Sequence, residues 1–139
     1  MKIVAGLLIA LLAGWIWHGP LGNGERLIAG LEAQAKEAVA KAELPGVQVR
    51  LSRDPLARVA MLSGDANDIQ REGMGGANGV NDYVREVEGI SALRWTDQAE
   101  DGTRLIPLLA ETLALVAIAY MLGLALGWLL WGRRREGFA

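Results

Sequence analysis

The residues able to do chemistry are few and scattered. Cysteine is absent, which rules out a disulfide, a thiolate metal site and a cysteine nucleophile. His18 is the only histidine. It stands beside Trp17 at the end of an apolar run, the place of an interfacial polar residue rather than of a metal ligand. Any metal site would therefore have to be built mainly of carboxylates. Asp65 and Asp68 fall one turn apart at the start of an expected helix, where the helix dipole already favours anions, and read as capping residues rather than as an acid–base pair. The run Gly73-Met74-Gly75-Gly76-Ala77-Asn78-Gly79 has the glycine content of a phosphate cradle. It lacks the lysine and hydroxyl residue of a P-loop and follows no strand, so a flexible turn between two helical pieces is expected. No catalytic residue, cofactor or metal is assigned, and the chain reads as non-enzymatic.

Glu111 differs because of its surroundings. From Thr112 to Trp131 twenty residues carry no charge, enough helix for a hydrocarbon core of roughly 30 Å. Residues 105–132 are expected to form a transmembrane helix, with Glu111 at its outer interface near Arg104. Ionisable groups inside a span mark ion or proton paths, but no further carboxylate follows Glu111 within the run. Trp128 and Trp131 suit the headgroup level at its end. Arg133, Arg134 and Arg135 follow as a basic tail, residues 133–139, that prefers the cytoplasmic side.

A second apolar run, Ile3 to Trp17, lies within residues 1–20 and closes on Trp15, Trp17 and Gly19-Pro20. It serves as an uncleaved anchor or as a signal sequence. The bulky Trp15-Ile16-Trp17-His18, standing where a small-x-small cleavage site would lie, favours the anchor with a tryptophan belt. Both runs carry small residues at every fourth position: Gly6, Ala10 and Gly14 in the first, Ala119, Gly123 and Gly127 in the last. That spacing permits close helix packing in lipid, either as a hairpin within one chain or against a partner protein.

The two runs leave space for one small domain, near the lower limit of independent folding. Residues 18–104 hold ten Lys and Arg against fourteen Asp and Glu, an acidic balance that argues against a nucleic-acid partner. From Asn23, Leu27, Ile28, Leu31, Ala35, Ala38, Val39 and Ala42 mark one helix face, and Glu32–Lys36 and Glu37–Lys41 pair on the other. Pro45-Gly46 ends the helix. Val47, Val49 and Leu51 alternate with polar residues as in a strand, Arg53-Asp54-Pro55-Leu56 turns, and Ala57 to Ser63 returns as the second strand of a hairpin. A second helix opens at Gly64-Asp65, resumes through Val80, Tyr83, Val84 and Val87, and stops at Glu88-Gly89. Ile90 to Trp95 is the third strand, and residues 97–104 are an acidic linker. The expected fold class is α+β: a small αββαβ domain, residues 23–96, between two transmembrane helices.

On these residues the region 26–95 resembles a BON domain, a small module of bacterial periplasmic and outer-membrane proteins. The resemblance rests on Leu44-Pro45-Gly46-Val47, on Leu62-Ser63-Gly64, and on Val87-Glu88-Gly89-Ile90-Ser91-Ala92-Leu93. The stretch from Ser63 to Met74 is also similar to BON-like portions of OmpA-family envelope proteins. The chain departs from that pattern in its glycine-interrupted second helix and in a hairpin turn without glycine. The resemblance implies a non-enzymatic envelope domain that meets phospholipid surfaces or envelope proteins. The chain is then expected in a bacterial inner membrane, with two spans, a periplasmic domain and both termini cytoplasmic. Its partners would be membrane lipids and an envelope or membrane-complex protein. An accessory subunit packing through its glycine-bearing helices is the alternative.

Overall fold

A computed structural model of the protein describes residues 1–98 and 105–131. The chain divides into two units, one containing residues 1–22 and the last helix from Leu109, the other Asn23–Leu108.

The second unit is a mixed helix-and-strand domain of the α+β class. Helix α2 (Asn23–Lys41) buries Ile28, Leu31, Ala35, Ala38 and Val39, one face at spacings of three and four. Leu27, expected on that face, is 48% exposed. A hundred degrees of helical turn separate it from Ile28, and only Ile28 meets the sheet side. Beside that face, at the edge against β1, Lys36 Nζ donates to Glu32 Oε1 at 2.7 Å. The same carboxylate accepts from the Leu51 backbone N–H and from Arg53, each at 3.3 Å. Lys36 first, then these two donors, hold the Glu32 carboxyl below its usual range.

Strands β1 (Gln48–Arg53) and β2 (Leu56–Ser63) form the expected antiparallel hairpin. The turn is tighter than the sequence suggests, because Arg53 and Leu56 already pair. A register shift between Leu51 and Arg53 tucks Ser52 inward, where its hydroxyl donates to the Pro55 carbonyl at 2.8 Å. Strand β5 (Ala92–Trp95) joins β2 in parallel, giving the order β1-β2-β5. It is two residues shorter at its start than Ile90 would make it. One sheet face carries Val49, Leu51, Ala60, Leu62 and Trp95 into a core shared with α2 and with Val80 and Val84.

Between β2 and β5 the chain departs most from expectation. Helix α3 (Asp68–Glu72) begins three residues later than Asp65, and its cap is neither aspartate. Asn67 Oδ1 accepts from Gln70 N at 2.9 Å and Gln70 Oε1 from Asn67 N at 2.9 Å, a reciprocal box that satisfies two backbone donors. Asp68 sits in the first turn, where the dipole favours it. The glycine run then forms a defined hairpin, β3 (Gly73–Met74) against β4 (Ala77–Asn78), turning at Gly75 and Gly76 with φ of +64° and +90°. Two successive positive φ values are the requirement of the tightest hairpin turn. At its neck a Cβ on Gly73 would strike the Ala77 carbonyl, and one on Gly79 the Arg71 carbonyl. Helix α4 (Val80–Arg85) follows, opened by the Asp82 carboxylate accepting from Gly79 N–H at 3.0 Å.

The first unit holds α1 (Lys2–His18) and α5 (Leu108–Trp131). Leu108, at the start of α5, belongs to the core of the other unit. Among the described residues Leu108–Leu130 is the one helix long and apolar enough to cross a membrane by itself. Helix α1 has 17 residues, about 25 Å at 1.5 Å per residue, short of a roughly 30 Å core. Of the two expected spans, α5 alone meets the length requirement.

Candidate functional site

In the helical unit α1 and α5 run antiparallel and touch along part of the small-residue pattern. A Cβ on Gly6 would lie 2.5 Å from Tyr120 Oη, and one on Gly14 3.3 Å from Val116 and 3.5 Å from Leu113. The Tyr120 hydroxyl donates to the Ile3 carbonyl at 2.7 Å, adding an interhelical bond to a carbonyl of the first helical turn. Ala10 is half-buried on the same side of α1. The partner surface is not the small-residue stripe of α5. Nothing lies within 4 Å of a Cβ at Gly123 or Gly127, and Ala119 is exposed. The groove at Gly6 and Gly14 is filled instead by the large side chains Tyr120, Val116 and Leu113 of α5. Leu113, Val116 and Tyr120 were legible as spacings of three and four on α5, and Tyr120 is the one polar-tipped aromatic among them.

Trp15, Trp17 and Trp128 are 48%, 61% and 75% exposed. Trp131 ends α5, and Arg133, Arg134 and Arg135 lie outside the described residues. Glu111 is in the first turn of α5, where the positive helix end favours a carboxylate; Arg104, expected nearby, lies outside the described residues. His18 is the last residue of α1. Among the described residues no group of three or more His, Asp or Glu side chains is placed to hold a metal ion.

In the α+β domain a polar clamp closes the short helices onto the sheet. The Arg71 guanidinium lies 4.0 Å over the Trp95 ring and holds Asp97 in a fork, with Nη1–Oδ1 3.1 Å and Nη2–Oδ2 2.5 Å. Its Nε donates to the Ala66 carbonyl at 2.8 Å. Below it Trp95, 1% exposed, donates its indole N–H to Asn81 Oδ1 at 2.9 Å. Asn81 in turn donates to Glu72 Oε1 at 2.7 Å. Among the described residues no buried side-chain polar atom lacks a partner, so the clamp closes without a desolvation penalty left uncompensated. Sequence patterns do not find it, because Arg71 and Asp97 are 26 positions apart.

The Arg71 guanidinium holds the Asp97 carboxyl below its usual range, and Asp97 raises Arg71 in return. A depressed carboxyl contributes stability above its unfolded pKa of about 4 and loses it as pH falls through the lower folded value. Asp97→Asn is therefore expected to lower domain stability by a constant amount above about pH 4. The gap to the parent should close in more acid solution. Urea unfolding across that range checks it, and a gap that widens in acid would contradict the pairing.

No protein-family model, curated protein or solved structure matches the chain in comparison.

Proposed function

We propose that the chain is a non-enzymatic, membrane-anchored attachment protein. Its α1–α5 hairpin stands in the bilayer, and its α+β domain, read as BON-like, stands on the periplasmic side of a bacterial inner membrane. The observation that carries this reading is the apolar surface of the hairpin: Leu8, Ile9 and Leu12 on α1 and Leu115, Ile118 and Leu122 on α5 are all more than half exposed. None of the span window of α5 is buried. Two adjacent helices with this much uncovered apolar side chain gain by moving into lipid. The shortness of α1 is met by bilayer thinning or by little tilt. The α+β class of the domain, with α2 and the β1–β2 hairpin first and β5 returning parallel to β2 after the α3–β3–β4–α4 segment, supports the BON-like reading. The mechanism is placement, with the spans holding the domain where its surface meets lipid headgroups or an envelope protein.

A reporter active only in the periplasm tests this. Inserted at the exposed turn by Gly75 it should work, and fused after Ala139 it should fail. The reverse pattern would invert the topology, and activity at neither site would remove the span.

A second reading rests on one observation. Ala119, Gly123 and Gly127 form a small-residue stripe that the hairpin leaves uncovered at its two glycines, and a helix of another protein could pack there. On this reading the chain is a small accessory subunit of a membrane complex.

A further inference from the structure

The sheet has a second face whose composition departs from that of the chain. Residues opposite in register project to the same side. Arg50 stands across from Met61, and Met61 from Arg94, so one row over all three strands reads arginine, methionine, arginine. With strands about 4.8 Å apart, the two arginine Cα atoms are separated by about 10 Å. The adjoining row pairs Gln48 with Ser63. It continues toward Thr96, whose N–H extends the parallel ladder to the Leu62 carbonyl at 2.9 Å. These six positions hold two cations, three neutral hydrogen-bonding side chains and one apolar side chain. They hold no carboxylate, in a chain with 16 acidic residues against 14 basic. Among the described residues Asp97, which follows Thr96 in sequence, is held by Arg71 at the Trp95 side. The other half of this face, around Ala57 and Val59, is buried, whereas Arg50 is exposed and Met61 half-exposed.

Resting on the membrane reading above, the geometry points to the Arg50–Met61–Arg94 row as a docking face for the headgroups of an anionic phospholipid leaflet. Guanidinium groups donate to phosphate oxygens in a fork that suits them, and Ser63, Thr96 and Gln48 offer further donors to headgroup oxygens. Met61 between the arginines supplies an apolar contact that an acyl boundary rewards and a free phosphate does not. Only residues 19–22 separate α1 from α2. An embedded α1 therefore keeps the domain within on the order of 14 Å of chain from a headgroup layer, and docking is an intramolecular event at high effective concentration. Arg94 is also engaged within the chain, so the test is set on Arg50.

The absence of cysteine allows single labels in the full-length protein. Met61→Cys carrying a fluorophore is reconstituted in nanodiscs of phosphatidylcholine with phosphatidylglycerol, or of phosphatidylcholine alone, each doped with headgroup-quencher lipid. Quenching should be stronger in the anionic discs. Glu37→Cys, on the exposed face of α2, should be little quenched in either. Adding Arg50→Glu should weaken docking at least about fivefold, the effect of one basic residue near an anionic leaflet, and Arg50→Gln somewhat less. An unquenched Met61 label, or quenching equal in both discs and indifferent to Arg50→Glu, overturns the docking face. Ile118→Cys with acyl-chain quencher separates the two ideas. If Ile118 is quenched and Met61 is not, docking fails and the membrane reading stands; if neither is quenched, both fail. Far-UV circular dichroism of Arg50→Glu and Arg50→Gln checks that the fold is retained.

Discussion

Trp95→Ala is expected to unfold the α+β domain. The indole is 1% exposed, and truncating a buried aromatic of this size costs about 3–5 kcal/mol. The loss extends beyond the cavity. Asn81 Oδ1 loses its indole donor, and an orphaned buried acceptor costs about 1–3 kcal/mol. Arg71 loses the ring beneath it, a contact of about 0.5–2 kcal/mol. Against these stands a domain of residues 23–98, whose total stability at typical values is roughly 4–11 kcal/mol. The sum of the losses is of the same size as the whole. Trp95→Phe should be milder: it keeps most of the apolar contact but still strands Asn81. Hydrogen exchange in detergent should show β2 amides protected in the parent, partly exchanged in Trp95→Phe and fully exchanged in Trp95→Ala. Retained protection in Trp95→Ala would falsify the claim that this cluster holds the sheet to its helices.

Gly6→Leu should open the helical hairpin, and leucine at both Gly123 and Gly127 should not. At Gly6 even a Cβ would come within 2.5 Å of Tyr120 Oη, and at Gly14 it would press on Val116 and Leu113, whereas nothing lies near Gly123 or Gly127. Packing is the main attraction between helices in lipid, where both surfaces are equally apolar. A leucine at Gly6 therefore removes close contact and gains nothing in exchange. It also parts the Tyr120 hydroxyl from the Ile3 carbonyl. Tyr120→Phe removes that bond alone, worth about 0.6 kcal/mol in such helices, or roughly threefold in the closed population. Spin labels on cysteines placed at Leu12 and Leu115, both exposed, report the hairpin by their separation. The short-distance population should fall by more than half in Gly6→Leu, fall modestly in Tyr120→Phe, and persist in the Gly123 and Gly127 double variant. A co-purifying protein lost only from that double variant would favour the accessory-subunit reading over attachment. If Gly6→Leu leaves the distances unchanged, the glycine contact does not hold the hairpin.

The α+β class, with α2, the β1–β2 hairpin and β5, was readable because the relevant patterns are local, whereas the expected single second helix is α3 and α4 with a hairpin between them. The stripe from Ile28 to Val39 repeats with the helix, and Val47, Val49 and Leu51 alternate with the pleat; each period belongs to the backbone geometry and needs no distant partner. The same holds for the apolar run of α5, whose length is a property of composition. Exceptions arose wherever two local choices were nearly equal. Asn67 and Asp65 are both good cap residues, and the reciprocal bond between Asn67 and Gln70 decided for the former. The glycine run was expected as a flexible turn between two helical pieces, because glycine content alone does not specify strand pairing. Pairing of Met74 with Ala77 and the closed neck at Gly73 and Gly79 decided for the hairpin.

Sequence by itself determined α2, the β1–β2 hairpin, β5 and the apolar run of α5, and it marked Gly6, Ala10 and Gly14 as positions that admit close approach. Only the tertiary structure decided what approaches them. A small-residue stripe states that space is available, whereas the side chain that fills the space comes from a segment more than a hundred residues away, as Tyr120 reaches Ile3. The same is true of the Arg71, Trp95 and Asp97 clamp and of the Arg50–Met61–Arg94 row. Neither has a spacing of its own in the chain, because each is assembled by strand register and by helices folding back across the sheet, and contacts of that kind exist only once the chain is closed on itself.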